Sequence, residues 1–160
     1  MTPSEQDIEW MRRALVLARA AGEAGDVPVG AILVCDGAIV ASGANRVMVE
    51  NDAGRHAEMV ALRDAHALTS ERHLQGTTLY VTMEPCAMCA GAIILARLDR
   101  VVFGAWDEKA GMAGSVEDLL RHPRLNHRPE VLGGVLADEC AAILREFFKD
   151  RRSGAQQALP

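Results

Sequence analysis

Aromatic residues make up only 4% of this 160-residue chain, and no apolar run approaches the ~18 residues of a membrane span. Met1 does not open a basic-then-apolar secretion signal, so the chain is expected to work in the cytoplasm without a membrane. Cysteine is scarce, with Cys35, Cys86, Cys89 and Cys140 alone. Four thiols could form two disulfides, but nothing points to an oxidising compartment, and paired spacing then favours metal or redox chemistry. Basic residues are outnumbered, 17 against 22 acidic ones, and the net charge of -5 excludes a broadly basic coat. A polyanionic partner would have to be met by a local basic patch. Repeats, low-complexity tracts and long Pro/Gly linkers are also missing. One domain over residues 1–152 is expected, with a polar tail at 153–160; a domain of this size buries about 68 to 70% of its unfolded surface.

What is present orders itself into alternating elements. Ser4, with Asp7 three residues on, forms an approximate capping box for a helix carrying Ile8, Met11, Leu15 and Ala18, and Gly22 and Gly25 end it. Two apolar runs, 29–34 and 38–42, meet at Asp36-Gly37, a dipeptide that tolerates the positive φ of a tight hairpin. The segment HAEMVALRDAHAL has the apolar spacing of a helix packed on a sheet. A strand over 77–82, a helix over 86–97 and a strand over 100–103 predict a right-handed crossover with parallel pairing. A short helix at 116–121, an edge strand at 130–133 and a last helix at 139–152 capped by Asp138 complete the chain. The fold class expected is α/β, a three-layer α/β/α sandwich around a mixed five-stranded sheet.

Cys86 and Cys89 stand three apart at a helix start, so both sulfurs fall on one face, and a helix N-terminus favours thiolate. A structural zinc wants four protein ligands, and no second cysteine pair exists. His56 is the remaining donor. Three ligands and one open position describe a catalytic zinc, and Glu58 supplies a carboxylate that need not bind it. His56 and Glu58 would point about 200° apart on a regular helix, so they share a pocket only if the helix begins near His56. A thiol-redox pair or a structural, non-catalytic zinc module remains the alternative for Cys86 and Cys89. Cys35 and Cys140 fit small packing positions, and His66 and His73 fit solvated surface.

H-x-E followed by P-C-x-x-C resembles the signature of zinc deaminases that act on nucleobases. The segments VPVGAILV, ANR, HAEMVALR, TLYVTMEPCAMCAGAI, RVVFGA, AGS, HPRLNHR, ADECAAIL and FFKDRR follow the order and spacing of bacterial tRNA-specific adenosine deaminases over about residues 5 to 152. That resemblance implies a cytidine-deaminase-like fold, a homodimer, one Zn2+ per chain, and conversion of a wobble adenosine in a tRNA anticodon loop to inosine. It implies that His56, Cys86 and Cys89 hold zinc, that Glu58 shuttles protons, and that Asn45 hydrogen-bonds the flipped nucleoside. Val29, Asp107, Asn126, His127, Arg128, Phe148, Arg151 and Arg152 are the further substrate-contact candidates, within a cationic run from Arg121 to Arg128 and a terminal helix bearing Arg145, Lys149 and Arg152. A small-molecule nucleobase or nucleoside deaminase shares the metal motif and is the rival. Two departures stand out: Ala53-Gly54-Arg55 where the family shows a Pro-Thr-small segment, and Trp106 where a basic or polar residue is expected.

Overall fold

The computed structural model describes residues 1–157, with side chains through Gly154. Helix α1 (Glu5–Glu23) starts as the sequence dictates: Ser4 accepts from the Asp7 amide and Asp7 from the Ser4 amide, a complete capping box. Strands β1 (Gly30–Cys35) and β2 (Ala38–Ala44) pair antiparallel through Asp36 and Gly37, whose φ values of 50° and 73° match the right-handed twist of the hairpin. Helix α2 (Ala57–Thr69) follows, then β3 (Thr77–Met83), α3 (Ala87–Ala96), β4 (Arg100–Ala105), β5 (Glu130–Leu132) and α4 (Ala137–Gln157).

The five strands lie in the order β2-β1-β3-β4-β5. β1 pairs antiparallel with β2 and β3, while β3, β4 and β5 run parallel, so the mixed sheet is observed as expected. α1 and α4 cover one face; α2, with α3 against it, covers the other. Gly30 and Gly43 let these helices approach closely: a Cβ on Gly30 would strike the α1 backbone at Ala18, and one on Gly43 the α2 backbone at Ala61. The core between the layers is mostly aliphatic, with Leu33, Leu79, Ile93 and Val101 fully buried beside the aromatic Phe103. Among the described residues no helix is long and apolar enough to cross a membrane.

Two elements differ from expectation. Residues 116–121 form no helix; Ala113 and Asp118 make an isolated antiparallel bridge instead. The last helix runs past Arg152 to Gln157, so the expected tail is helical where it is described, and its last three residues lie outside the described region.

Candidate metal centre and pocket

Parallel strands β3 and β4 deliver the chain at their carboxyl ends to a crevice, the usual ligand position in open α/β sheets. Two helix starts meet there. His56 is the N-cap of α2 with extended backbone (φ -62°, ψ 152°), and Cys86 is the N-cap of α3 (φ -77°, ψ 178°). Because α2 begins only at Ala57, His56 has not joined the helical spiral, and this lets Glu58 line the same pocket. His56 Nδ1 lies 3.5 Å from Cys86 Sγ and 3.6 Å from Cys89 Sγ, and the three donor atoms fall within 4.8 Å of one another. Zinc bonds of about 2.3 Å to sulfur and 2.0–2.1 Å to nitrogen at tetrahedral angles separate S and N by roughly 3.6 Å. The donor set therefore fits zinc in chemistry and spacing, and a redox pair has no need of the imidazole.

The electrostatics follow from burial and mutual contact. A hydrogen bond from Cys89, opposed by burial and joined by one from His56, pulls the Cys86 thiol down to about 3. Cys89 moves the other way, raised by its bond to Cys86 and by burial. His56 is raised by its bond to Cys86, against burial, with the Glu58 charge adding to the rise. Burial pushes the Glu58 carboxyl up to about 7.

Val29, Asn45 and Asp107 line this pocket with His56, Glu58 and Cys86. Asn45 Nδ2 donates to the Val27 carbonyl at 3.2 Å, which turns Oδ1 inward; that oxygen is buried without a partner among the described residues. An unpaired buried acceptor costs about 1–3 kcal/mol, so it marks a place where a ligand donor belongs. The Asp107 carboxylate accepts from the Lys109 and Ala110 amides and so shapes the turn at the pocket mouth. Phe148, Arg151 and Arg152 line a second, open cavity with Lys109. Arg151 ties this region to the pocket rim, donating to the Gly25 carbonyl at 3.3 Å, approaching Met48 Sδ at 3.4 Å and lying over the Phe147 ring.

The remaining three candidates are not brought here. His127 Nε2 bonds the Leu98 carbonyl at 2.6 Å, beside the amino-terminal end of β4, whereas the pocket lies at the carboxyl end. At about 3.3 Å per residue the six-residue strand separates them by roughly 20 Å. Arg128 donates to the Pro123 carbonyl, and Asn126 borders a cleft formed by the C-terminal ends of α2 and α3. The 121–128 cluster thus uses part of its hydrogen-bonding capacity on its own loop. Arg55 is likewise engaged, bonded to Glu50, which also holds Arg46.

Two buried carboxylates that organise the pocket escaped sequence reasoning. Glu84 accepts from the amides of Asp107, Ala113 and Ser115 and from the Ser115 hydroxyl. Burial alone would raise it, but the Ser115 hydroxyl and these amides hold its pKa below the usual carboxylate value. Asp26 accepts from the Val27, Met48 and Val49 amides and pins the opposite wall. The one signal was the position of Glu84 directly before Pro85-Cys86; a buried acid otherwise reads like any surface acid.

The family model for the cytidine and deoxycytidylate deaminase zinc-binding region matches residues 4–105. The tRNA-specific adenosine deaminase of Bacillus subtilis (strain 168) is 44% identical over 153 residues, covering 96% of this chain and 95% of its own. That of Haemophilus influenzae (strain Rd) is 47% identical over 150 residues, covering 93% and 87%. A solved structure from studies of A-to-I editing by tRNA:A34 deaminases superposes with a TM-score of 0.81 at 43% identity, covering 85% of this chain and 99% of the other. A guanine deaminase structure from Nitrosomonas europaea superposes with a TM-score of 0.78 at 26% identity, covering 92% and 86%.

Proposed function

Because this chain belongs to the cytidine and deoxycytidylate deaminase family and, within it, to the tRNA-specific adenosine deaminases, we propose that it converts the wobble adenosine of a tRNA anticodon to inosine. The observation that carries this is the His56, Cys86 and Cys89 donor set, opening on a pocket that also holds Glu58 and the unpartnered Asn45 Oδ1. Zinc is the cofactor; when bound, it supplies the Lewis acidity that makes water a nucleophile at neutral pH.

The chain's own residues do the rest. Glu58 takes a proton from the attacking water and delivers it to ring N1 as the C6–O bond forms. The second water proton reaches the amino nitrogen as the C6–N bond breaks, so adenosine and water become inosine and ammonia. Asn45 Oδ1 accepts from a donor of the bound nucleoside and fixes its orientation. Val27, Val29 and Met48 form apolar walls that exclude bulk water. An anticodon loop presents bases already largely unstacked, so drawing one into the pocket costs a few kcal/mol or less. Phe148, Arg151 and Arg152, in the adjoining cavity, hold the RNA backbone and a neighbouring base.

A homodimer is the assembly we assign, working in the cytoplasm where tRNA is found. Its support is exposed apolar side chains on α2 and α3, where Leu68 is 74% exposed and Leu95 77%. Sedimentation equilibrium at twice the chain mass is the expected result.

The guanine deaminase likeness defines the competing substrate class, a free base. The deciding experiment offers the purified zinc protein an anticodon stem-loop RNA alongside free adenosine, cytosine and guanine. Inosine in the RNA is expected; turnover of a free base with the RNA untouched would overturn the assignment.

A further inference from the structure

Trp106 is a large aromatic residue held in place while half its surface faces solvent. The residue is 51% exposed. Behind it, Phe103 packs edge-to-face, with ring centroids 4.8 Å apart at 88°. Gly114 and Gly134 flank it: a Cβ on Gly114 would sit 3.6 Å from Cζ3, and one on Gly134 3.6 Å from Nε1. The backbone after it is clamped as well, because the Asp107 amide donates to the buried Glu84 carboxylate at 2.9 Å. An exposed ring held this way loses little entropy when something stacks on it.

Its position says what would stack. Trp106 heads the turn whose next residue lines the metal pocket and whose Lys109 lines the cavity with Phe148, Arg151 and Arg152. On its other side, the Gly114 position also meets, at 3.8 Å, the Arg121 guanidinium, which is paired with Asp118 and donates to the Ala113 carbonyl. In a chain of net charge -5, aromatic surface interleaved with cations beside a pocket is the pattern of a single-stranded nucleic-acid track, where stacking holds bases and cations hold phosphates.

We propose that Trp106 is a stacking platform for a nucleobase next to the one delivered to the metal pocket. The inference rests on the RNA assignment above and adds a contact to it. A second copy of this chain is the other occupant an exposed indole could have, and the test separates the two.

Trp10→Phe leaves Trp106 as the only indole of the two in the chain. An anticodon stem-loop RNA titrated into that protein is expected to quench Trp106 emission with the same midpoint as binding followed by RNA anisotropy. Removing the base of one flanking nucleotide, leaving the sugar-phosphate intact, should abolish the quench and weaken binding roughly 5- to 150-fold. In Trp106→Ala the loss should fall on KM by a similar factor, and the same abasic substitution should then have no further effect. Trp106→Phe should retain most of the affinity. RNA that binds and is deaminated without a change in Trp106 emission overturns the proposal, as does independent multiplication of the Trp106→Ala and abasic effects. Emission that shifts with protein concentration in the absence of RNA identifies a contact between copies and also overturns it. Absence of inosine with the unaltered protein instead removes the RNA assignment itself, and this inference with it. The abasic series needs only unmutated Trp106, so a poorly folding variant does not decide the outcome.

Discussion

Asp7 and Glu58 are buried carboxyl groups at opposite ends of the sheet, and their surroundings treat them differently. At the amino-terminal end of β4, Asp7 accepts from the Ser4 amide at 2.9 Å, from the Tyr80 hydroxyl at 2.8 Å and from two Arg100 nitrogens at 2.6 and 3.2 Å. Arg100 also donates to Glu130 at 2.7 Å. At the carboxyl end, Glu58 lies among thiols and an imidazole that would themselves bind metal, and Asn45 leaves Oδ1 buried and unpaired. Burial raises both acids, yet the Arg100 guanidinium with the Ser4 and Tyr80 bonds carries Asp7 far below the usual carboxylate range, while Glu58 stays high. A buried acid bonded to a guanidinium is a fastening; one set among metal-ligating side chains, beside the unpaired Asn45 Oδ1, faces the place of a ligand.

The comparison breaks most sharply at Glu58. Glu58→Ala should lower kcat by at least about 10²- to 10⁴-fold, the range ascribed to a positioned proton carrier, while zinc measured by mass spectrometry stays at one per chain. Thermal stability should not fall, because the acid forms no ion pair among the described residues. His56→Ala, in contrast, should lose the zinc. Full turnover by Glu58→Ala would remove the proton-transfer role and leave the metal site standing.

Arg100→Met tests the opposite end. It leaves Asp7 with only the Ser4 and Tyr80 bonds, so it should cost about 1–3 kcal/mol in urea unfolding, with zinc content unchanged and kcat preserved below the unfolding temperature. The pH dependence has a definite sign. The folded pKa of Asp7 lies below its unfolded value of about 3.9, so the folded state binds fewer protons and stability falls as the solution is acidified. That contribution is complete well above pH 3.9 and drains away as pH drops below it toward the depressed folded value. The urea midpoint should therefore fall between pH 5 and pH 3, and more gently in Asp7→Asn; equal slopes would mean that Asp7 is not the fastening.

Much of the fold at both ends, and the metal-ligand set, was legible in the sequence because its logic is local. Capping by Ser4 and Asp7, the Asp36-Gly37 turn, and the Cys86 and Cys89 spacing each operate within a few residues. Even the need for α2 to begin at His56 followed from helical periodicity, and the extended N-cap supplies it. The failures are non-local. Residues 116–121 look helical in isolation, but Glu84, some 30 residues earlier, takes the Ala113 and Ser115 amides and holds the preceding loop in another shape. His127 has the composition of an RNA contact, and only the fold reveals that its ring is bonded to Leu98. Arg100 carried no signal at all, since its partner Asp7 lies 93 residues away.

The smallest effect separates two sets of arginines that looked alike in sequence. Arg152 lines the open cavity beside the pocket, whereas Arg128 donates to the Pro123 carbonyl beside His127, a strand's length away. Each phosphate contact on a single strand contributes about 0.7 to the slope of log affinity against log salt. Arg152→Gln should reduce that slope by about this amount for an anticodon stem-loop, weakening binding only a few-fold at low salt. Arg128→Gln should leave the slope where it was. Equal changes from both would place the RNA across the far end of the sheet as well, and the division of the molecule into a fastened end and a binding end would no longer hold.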